Sequence, residues 1–411
     1  MSLFEGFGAC PYLQAFQDRN MDGKIRTGII GIGNMGSQHA AHIFGGDCPG
    51  LTLAAVADVR EEHLLWADQQ FGSSVRLFRN AAEMLDSGLL DACIVAVPHY
   101  QHCELVIECL KRGIHVMCEK PAGVYTRQVR EMNAEADRHP ETVFGMMFNQ
   151  RTNPLYRKMK AIVDSGLYGQ IRRTNWIVTD WYRPQAYYNS GGWRATWDGE
   201  GGGVLLNQSP HQLDLFVWIA GMPRLVDAHM SYGKWHDIEV EDDVTAYVEY
   251  ENGATGAFIT STGDPHGTNR FEVQMDRAQL VVEDGKLRFY ELKESEPEFS
   301  ARNTIPFAHP EAVEVPVETD EPNPQHVGVL NAFAAKILGK GELIADGREG
   351  LRGLMLSNAM HLSSWTGGPV TIPFDEDLFF EELQKRRLSS KKKTHVDEKV
   401  SDLQNTYNGI R

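Results

Sequence analysis

From Lys24 onward the hydrophobic and polar positions switch between two periods in regular alternation. Short, largely apolar runs fall at Lys24–Ile30, Leu53–Ala57, Val75–Phe78, Ala92–Val97, Ile114–Cys118 and Thr142–Phe148. Runs of that length and uniformity predict strands buried on both faces. The segments between them mix apolar and polar residues and predict helices over Ser37–Phe44, Glu61–Phe71, Asn80–Leu85, Gln101–Arg112 and Thr126–His139. Gly113 directly follows the fourth of these, where a helix C-terminus favours glycine. Strands alternating with helices imply a parallel sheet covered on both sides.

The pattern changes near Arg151. A helix is predicted over Pro154–Ser165 and a strand over Ile171–Thr179. The stretch Asp180–Gly203 has no period and is crowded with Trp181, Tyr182, Tyr187, Tyr188, Trp193 and Trp197. A helix follows up to Gly221, with Ser209 as expected N-cap, Pro210 at N1 and Gln212 completing a capping box. From Leu225 to Tyr290 the chain reads as an antiparallel sheet. Asn252-Gly253 between Tyr247–Tyr250 and Ala257–Thr260 is a hairpin signal. The acidic, proline-bearing stretch Glu294–Pro324 predicts a surface loop, and helices return at Val327–Leu338 and Arg348–Trp365. The expected organisation is a doubly wound dinucleotide-binding unit over 1–150, with an irregular lead-in to residue 23. A second α+β domain on a large open antiparallel sheet covers 151–375, its helices near 327–365 packing back on the first unit. A C-terminal helix and basic tail complete the chain over 376–411, and Lys385–Arg387 and Lys391–Lys393 are expected to be solvated and frayed.

At 411 residues the chain is longer than one core usually organises. Its net charge of −16 argues against general affinity for nucleic acid or anionic membrane. No apolar run is long enough to span a bilayer, and the start lacks a signal-peptide layout. Six cysteines without a CxxC pair read as reduced thiols, Cys93 and Cys118 as core residues, so a cytoplasmic protein is expected. There is no HExxH and no Cys/His cluster, so no metal is expected.

Candidate chemistry gathers where the predicted parallel strands end, because ligands of open α/β sheets bind at the carboxyl ends. The run Gly31-Ile32-Gly33-Asn34-Met35-Gly36 lies between strand and helix. Gly31 permits a tight turn, Gly33 leaves room for a pyrophosphate, and Gly36 lets helix and strand pack closely. Asp58, at the end of the next strand, is placed to bind the adenosine ribose. It disfavours a 2′-phosphate, so NAD is expected over NADP. Arg60 stacks on adenine, pairs with a 2′-phosphate or is a solvated surface arginine. The same rule nominates Val97, Pro98 and His102, and Glu119 with Lys120. A desolvated lysine beside a cofactor lowers its pKa and joins proton transfer, although a rim lysine paired with Glu119 fits the sequence equally. Gly201-Gly202-Gly203 leads through Asn207 to His211 and Asp214. In the first helical turn His211 is disfavoured as imidazolium, and a neutral ring suits a general base for an alcohol. Asp214 either orients that ring or is simply a helix acid. Trp181, Tyr182, Tyr188 and Trp193 are a candidate wall for sugar rings, with core packing as the competing reading. Arg183 and Arg194 serve either a charged substrate group or the loop itself.

Taken together, Gly31-x-Gly33-x-x-Gly36, Glu119-Lys120-Pro121 and Gly201-Gly202-Gly203 through His211 to Asp214 resemble the glucose–fructose oxidoreductase / inositol dehydrogenase / MocA family, over about Lys24 to Trp365. The resemblance implies a Rossmann domain followed by an α/β domain on an open antiparallel sheet, with sheet-face homodimers or homotetramers. It implies Lys120 and His211 at the nicotinamide, His211 as base and Lys120 assisting, with Glu119 at the nicotinamide ribose and Gln150, within Asn149-Gln150-Arg151, near the nicotinamide. The family often has an aspartate where this chain has Asn207, which removes a negative charge and leaves a neutral hydrogen-bonding group. The function so implied is hydride transfer between NAD(P) and a hydroxyl-bearing carbon of a sugar, glycoside or cyclitol. Alternatives are an NAD-dependent glycosidase-type oxidation and elimination, or a non-catalytic nucleotide-binding sensor.

Overall fold

The computed structural model describes residues 23–319, 321–391, 393 and 396. The lead-in before residue 23, Cys10, Lys392 and the end of the tail lie outside the described residues. The first sheet has six strands: β1 (Ile25–Ile30), β2 (Leu51–Ala57), β3 (Arg76–Phe78), β4 (Ala92–Val95), β5 (His115–Cys118) and β6 (Phe144–Met146). Their order is 3-2-1-4-5-6 and every pair is parallel. This is the doubly wound arrangement whose strand order reverses beside β1 and β4, where a crevice for ligands opens. The helices Asn34–Phe44 and Glu61–Phe71 cover one face. On that face lies a late helix, Gln325–Ile337, whose Val329, Leu330, Phe333 and Ala334 share a core with Ile25, Ile29, Ile94 and Met117. The helices His102–Lys111 and Thr126–Arg138 cover the other.

The second sheet has nine strands: β7 (Ile171–Val178), β8 (Leu225–Tyr232), β9 (Glu241–Glu249), β10 (Thr255–Ser261), β11 (Asn269–Met275), β12 (Ala278–Glu283), β13 (Lys286–Leu292), β14 (Ala312–Val315) and β15 (Val370–Thr371). The order is 14-13-12-11-7-10-9-8-15. It is antiparallel except where β7 and β10 pair in parallel, so the expectation of an antiparallel sheet holds with one exception. The Asn252-Gly253 hairpin joins β9 to β10, with Gly253 at φ +83°. The inner face buries Trp176, Phe258 and Phe271 against the helices Pro154–Asp164, Pro210–Ala220 and Gly350–Thr366.

Three expectations are corrected. Ser209 does not close a capping box: its hydroxyl pairs with Thr260, which ties the helix to β10 instead. Glu294–Pro324 is not all loop. It contains the helix Glu296–Arg302, started by a true capping box of Ser295 and Glu298, and the edge strand β14. The described basic residues from Lys385 are held in place. Lys385–Arg387 fall inside the helix Glu376–Ser389, Arg386 sits 4.0 Å over Trp365, and Arg387 pairs with Asp198 at 2.9 Å. Beyond the helix, the Lys393 ammonium donates to the Tyr188 carbonyl. Some boundaries also move: the first helix starts at Asn34, and β6 ends at Met146 because Asn149–Thr152 coil into a 3-10 turn.

Candidate active site

The ends of β1, β2, β4 and β5 open into a cavity of about 530 Å³ that is also walled by Trp193, Arg194 and Asn207 from the second unit. At the β1 end, Gly31 has φ +91°, and a side chain there would lie 2.4 Å from the Ala96 carbonyl. Gly36 packs so close to the turn that a Cβ would sit 1.8 Å from the Gly31 oxygen. Gly33 is different: it lines the cavity, and a Cβ there would meet no atom within 4 Å. The helix beginning at Asn34 has no side-chain cap and no acid in its first turn. That uncapped N-terminus, beside open space with Asn34 and Met35 on its wall, fits a pyrophosphate. Ile32 is buried, and its N–H donates to the Asp58 carboxylate at 2.7 Å. Asp58 also accepts from the Arg60 N–H and from His63, each at 2.9 Å. Burial pushes this carboxyl's pKa up, but the bond from His63 and the two backbone donors outweigh it and hold it below the ordinary value. Arg60 lies on the cavity wall with its guanidinium held by Glu62 at 2.8 Å.

Val97, Pro98 and His102 line the cavity as expected from the strand-end rule. His102 braces two loops, its ring nitrogens 2.6 Å from the Pro121 carbonyl and 2.7 Å from that of Val97. Glu119 and Lys120 follow β5. Glu119 is buried, bonded to His39 at 2.7 Å and to the Lys120 N–H at 3.0 Å. Burial would raise its pKa, yet the hydrogen bond and charge of His39 hold it down to about 2. Behind His39 stands His326 from the late helix, ring to ring at 5.6 Å, its own pKa pulled by burial to about 3. The Lys120 ammonium donates to the Asn207 carbonyl at 2.9 Å. Burial lowers its pKa, with Arg194 and Arg183 adding to the shift and Glu119 and Glu200 opposing it.

His211 is buried in the first turn of its helix, and neither ring nitrogen has a hydrogen-bond partner among the described residues. Burial first, and then the Lys120 charge, drive its pKa well below the ordinary histidine value, so the ring is neutral. Lys120 and His326 lower it and Glu119 opposes them; Lys120 and Glu119 line the cavity, whereas His211 itself lies behind that wall and is not among the lining residues. Asp214 does not orient this ring. Its two oxygens grip Arg151 at 2.7 and 2.8 Å, both side chains buried, so it is a structural acid rather than a group facing a substrate. Gln150 is likewise off the cavity: with Asn149 it donates to Gln325 and ties the late helix down.

The aromatic stretch divides. Trp193 lines the cavity, edge-on to His99 at 5.4 Å, and Arg194 lies beside it. Tyr188 is a core residue whose hydroxyl donates to Thr262 at 2.7 Å. Tyr182 lines a separate cavity of about 360 Å³ with Tyr156 and Asn269, and Trp181 lines neither. Those three are therefore not part of a wall for this cavity. Two acids went unnoticed in the sequence. Glu200 is buried, and its carboxylate accepts from the Asn207 amide and the Ala195 N–H. An acid thus stands beside position 207 from seven residues upstream, directly before the glycine triplet; burial raises its pKa, against the Arg194 charge and the bonds from Ala195 and Asn207. Glu241 accepts the N–H groups of Gly203 at 2.8 Å and Leu205 at 3.0 Å, which fixes the loop that carries Asn207. The signal for Glu200 was its place in Glu200-Gly201-Gly202-Gly203; Glu241 had none, because β9 pairs with the loop only in the fold.

Comparison with known proteins follows the same division. Residues 25–146 match the oxidoreductase family with NAD-binding Rossmann fold, and residues 156–281 match the GFO/IDH/MocA C-terminal domain. The myo-inositol 2-dehydrogenase of Thermotoga maritima is 26% identical over 269 residues, covering 63% of this chain and 75% of that protein. The levoglucosan dehydrogenase of Pseudarthrobacter phenanthrenivorans is 26% identical, covering 62% and 73%. Among solved structures, the WlbA dehydrogenase of Chromobacterium violaceum, in complex with NADH and UDP-GlcNAcA, superposes with a TM-score of 0.74 at 26% identity, covering 86% of this chain and 97% of that one.

Proposed function

Because the chain belongs to the GFO/IDH/MocA family of oxidoreductases, we propose that its cavity binds NAD along the Gly31–Gly36 turn and oxidises a carbinol carbon of a sugar or cyclitol beside Lys120 and His211. The relatives named as dehydrogenases of myo-inositol and levoglucosan support that substrate range. Gly33, Asn34 and Met35 hold the pyrophosphate, Asp58 the adenosine ribose, and Val97, Pro98 and Glu119 the nicotinamide side. NAD bound there supplies the hydride acceptor at its nicotinamide ring. The chain's own part is protonic. His211, neutral and with no hydrogen-bond partner among the described residues, takes the substrate hydroxyl proton on a ring nitrogen. Lys120 keeps two further N–H donors after its bond to Asn207, and these orient the hydroxyl oxygen and stabilise charge developing on it. Glu200 holds Asn207, and through it the carbonyl on which Lys120 rests. The protein works in the cytoplasm as a homodimer or homotetramer; the five described cysteines, all unpaired and buried, support a reducing compartment.

The observation that carries this reading is a buried, unpartnered, neutral histidine next to a desolvated lysine on the cavity wall. The test is NADH formation from a panel of polyols and glycosides by wild type and His211→Ala, with both melted to check folding. Loss of a general base lowers kcat by about two to four decades. The base must be unprotonated, so activity falls as pH drops through its pKa. With that pKa held below the ordinary 6.5, the acid limb of kcat/KM lies on the acid side of neutrality rather than near it. Equal turnover in the two proteins would remove His211 from the mechanism.

A further inference from the structure

Arg194 forms no ion pair among the described residues, although its charge acts on the buried Glu200 carboxyl nearby. Its guanidinium lies 4.7 Å over the Tyr187 ring and 4.7 Å over the Trp193 ring, and it donates to the Tyr187 hydroxyl at 3.0 Å. No carboxylate of the described residues pairs with it, although it stands on the cavity wall beside Lys120 and Asn207. Other arginines of this chain are matched: Arg26 meets Asp91, Arg112 meets Asp86 and Glu108, and Arg151 meets Asp214 and Glu349. A second guanidinium, Arg183, lies 5.2 Å over the same Tyr187 ring and also has no carboxylate partner among the described residues. Both charges act on Lys120. The acids nearby are already engaged, Glu200 by the Ala195 N–H and the Asn207 amide, Glu119 by His39 and the Lys120 N–H.

The backbone fixes this arrangement. Ala195, directly after Arg194, is fully buried in the left-handed region at φ +53°, a conformation that strains a residue with a side chain. The Glu200 carboxylate pins it there. Two aromatic faces hold the guanidinium plane, and among the described residues one of its five N–H donors is used, on the Tyr187 hydroxyl. In a chain of net charge −16, a preoriented guanidinium on a ligand cavity wall with no carboxylate paired to it among the described residues calls for an anionic ligand group. A planar fork with free donors matches a carboxylate in bidentate geometry. The cofactor's own phosphates are already served by the uncapped helix N-terminus at Gly33 and Asn34.

We propose that the substrate is a sugar acid, a hexuronate or aldonate whose carboxylate docks on Arg194 while its carbinol carbon faces His211. This rests on the dehydrogenase reading above, and the experiment separates the two. NADH formation is measured with glucuronate, galacturonate and gluconate, their neutral parents glucose and galactose, myo-inositol, and glucose 6-phosphate, for wild type, Arg194→Gln and Arg194→Lys. Wild type should favour at least one acid over its neutral parent by about tenfold or more in kcat/KM, the scale of one buried charged pair. Arg194→Gln should lower that ratio by a similar factor, chiefly through KM, and Arg194→Lys should restore part of it. Equal use of acids and neutral parents, a preference for the phosphorylated sugar, or a ratio unmoved in Arg194→Gln would each overturn the proposal. So would a loss of NAD affinity in Arg194→Gln as large as the loss for the acid, since Arg194 would then serve the cofactor. If no sugar yields NADH, the dehydrogenase reading fails by itself. Melting of the NAD-loaded protein then decides: an acid-specific rise in Tm that Arg194→Gln abolishes sustains the carboxylate site, and no rise ends it.

Discussion

Asp58 combines two tasks in one carboxylate. It accepts the Ile32 N–H inside the glycine turn and the Arg60 N–H and His63 ring at the start of the next helix, and it still lines the cavity. A carboxylate with three bonds keeps acceptor capacity for a ribose hydroxyl, and its charge repels a phosphate at the same place. NAD should therefore bind more tightly than NADP. Asp58→Asn should weaken NAD by about tenfold or more, the scale of a hydrogen bond to a charged group. The same change should narrow the NAD-to-NADP ratio, because the repulsion goes with the charge. Isothermal titration with both cofactors measures this, and tighter NADP binding by wild type would refute it. Asp58's place on the cavity wall was legible in the sequence because it follows from position along a strand–turn–helix–strand unit. Tyr188 and Tyr182 were not, since an aromatic residue in an aperiodic stretch carries no mark of which cavity, if any, it faces. Asp214 misled for a related reason: its partner Arg151 lies 63 residues away, and only the fold brings them together.

At the scale of elements, the parallel sheet was legible almost strand by strand, because strands buried on both faces have an unmistakable composition. The second sheet was legible in kind but not in pairing. The parallel contact of β7 with β10 joins strands far apart in sequence, which no local pattern encodes. The helix Glu376–Ser389 shows how charge hides packing. Its basic residues suggest a solvated tail, yet Phe379 and Leu383, one turn apart, are buried against the remainder of the chain, and Phe379 stacks on Trp365 at 5.2 Å. From there Arg387 reaches Asp198 and lies 4.5 Å over Tyr100, whose hydroxyl holds the Trp197 carbonyl. The helix is thus coupled to the loop that carries Trp193 and Arg194. Phe379→Ala should cost about 3–5 kcal/mol in stability, the range for emptying a buried phenylalanine site. Leu388→Ala, on the same helix but 88% exposed, should stay within about 0.5 kcal/mol. Denaturant melts of both variants test whether this helix is docked; equal, small effects would show that it is not.

At the scale of the whole molecule, the nine-stranded sheet has one face packed under three helices and one face that no helix of the described residues covers. Along that open face Arg270, Ile177, Ile259 and Thr245 stand side by side on β11, β7, β10 and β9. The next row sets Glu272, Asn175, Ala257 and Tyr247 across the same strands. Ile177 is 37% exposed and Tyr247 43%, in the middle of a sheet rather than at its rim. Ile177 and Ile259, set between Arg270 and Thr245 with Ala257 and Tyr247 beside them, make a small apolar centre with polar neighbours, the composition of an interface. A stable interface needs about 800 Å² from each partner, and a face five or more strands wide can supply it. The same flat face on two copies is self-complementary about a two-fold axis, which is the commonest way a homodimer closes. We therefore expect a dimer or tetramer at micromolar concentration, joined by this face. Ile177→Asp with Tyr247→Asp places two like charges near the two-fold axis and should yield monomers. Since both side chains point away from the core, the monomer should keep its fold and its NAD affinity, which lies on the other sheet. Sedimentation velocity on wild type and the double variant decides the matter: a wild-type monomer refutes assembly, and an oligomer indifferent to the two aspartates places the interface on another surface.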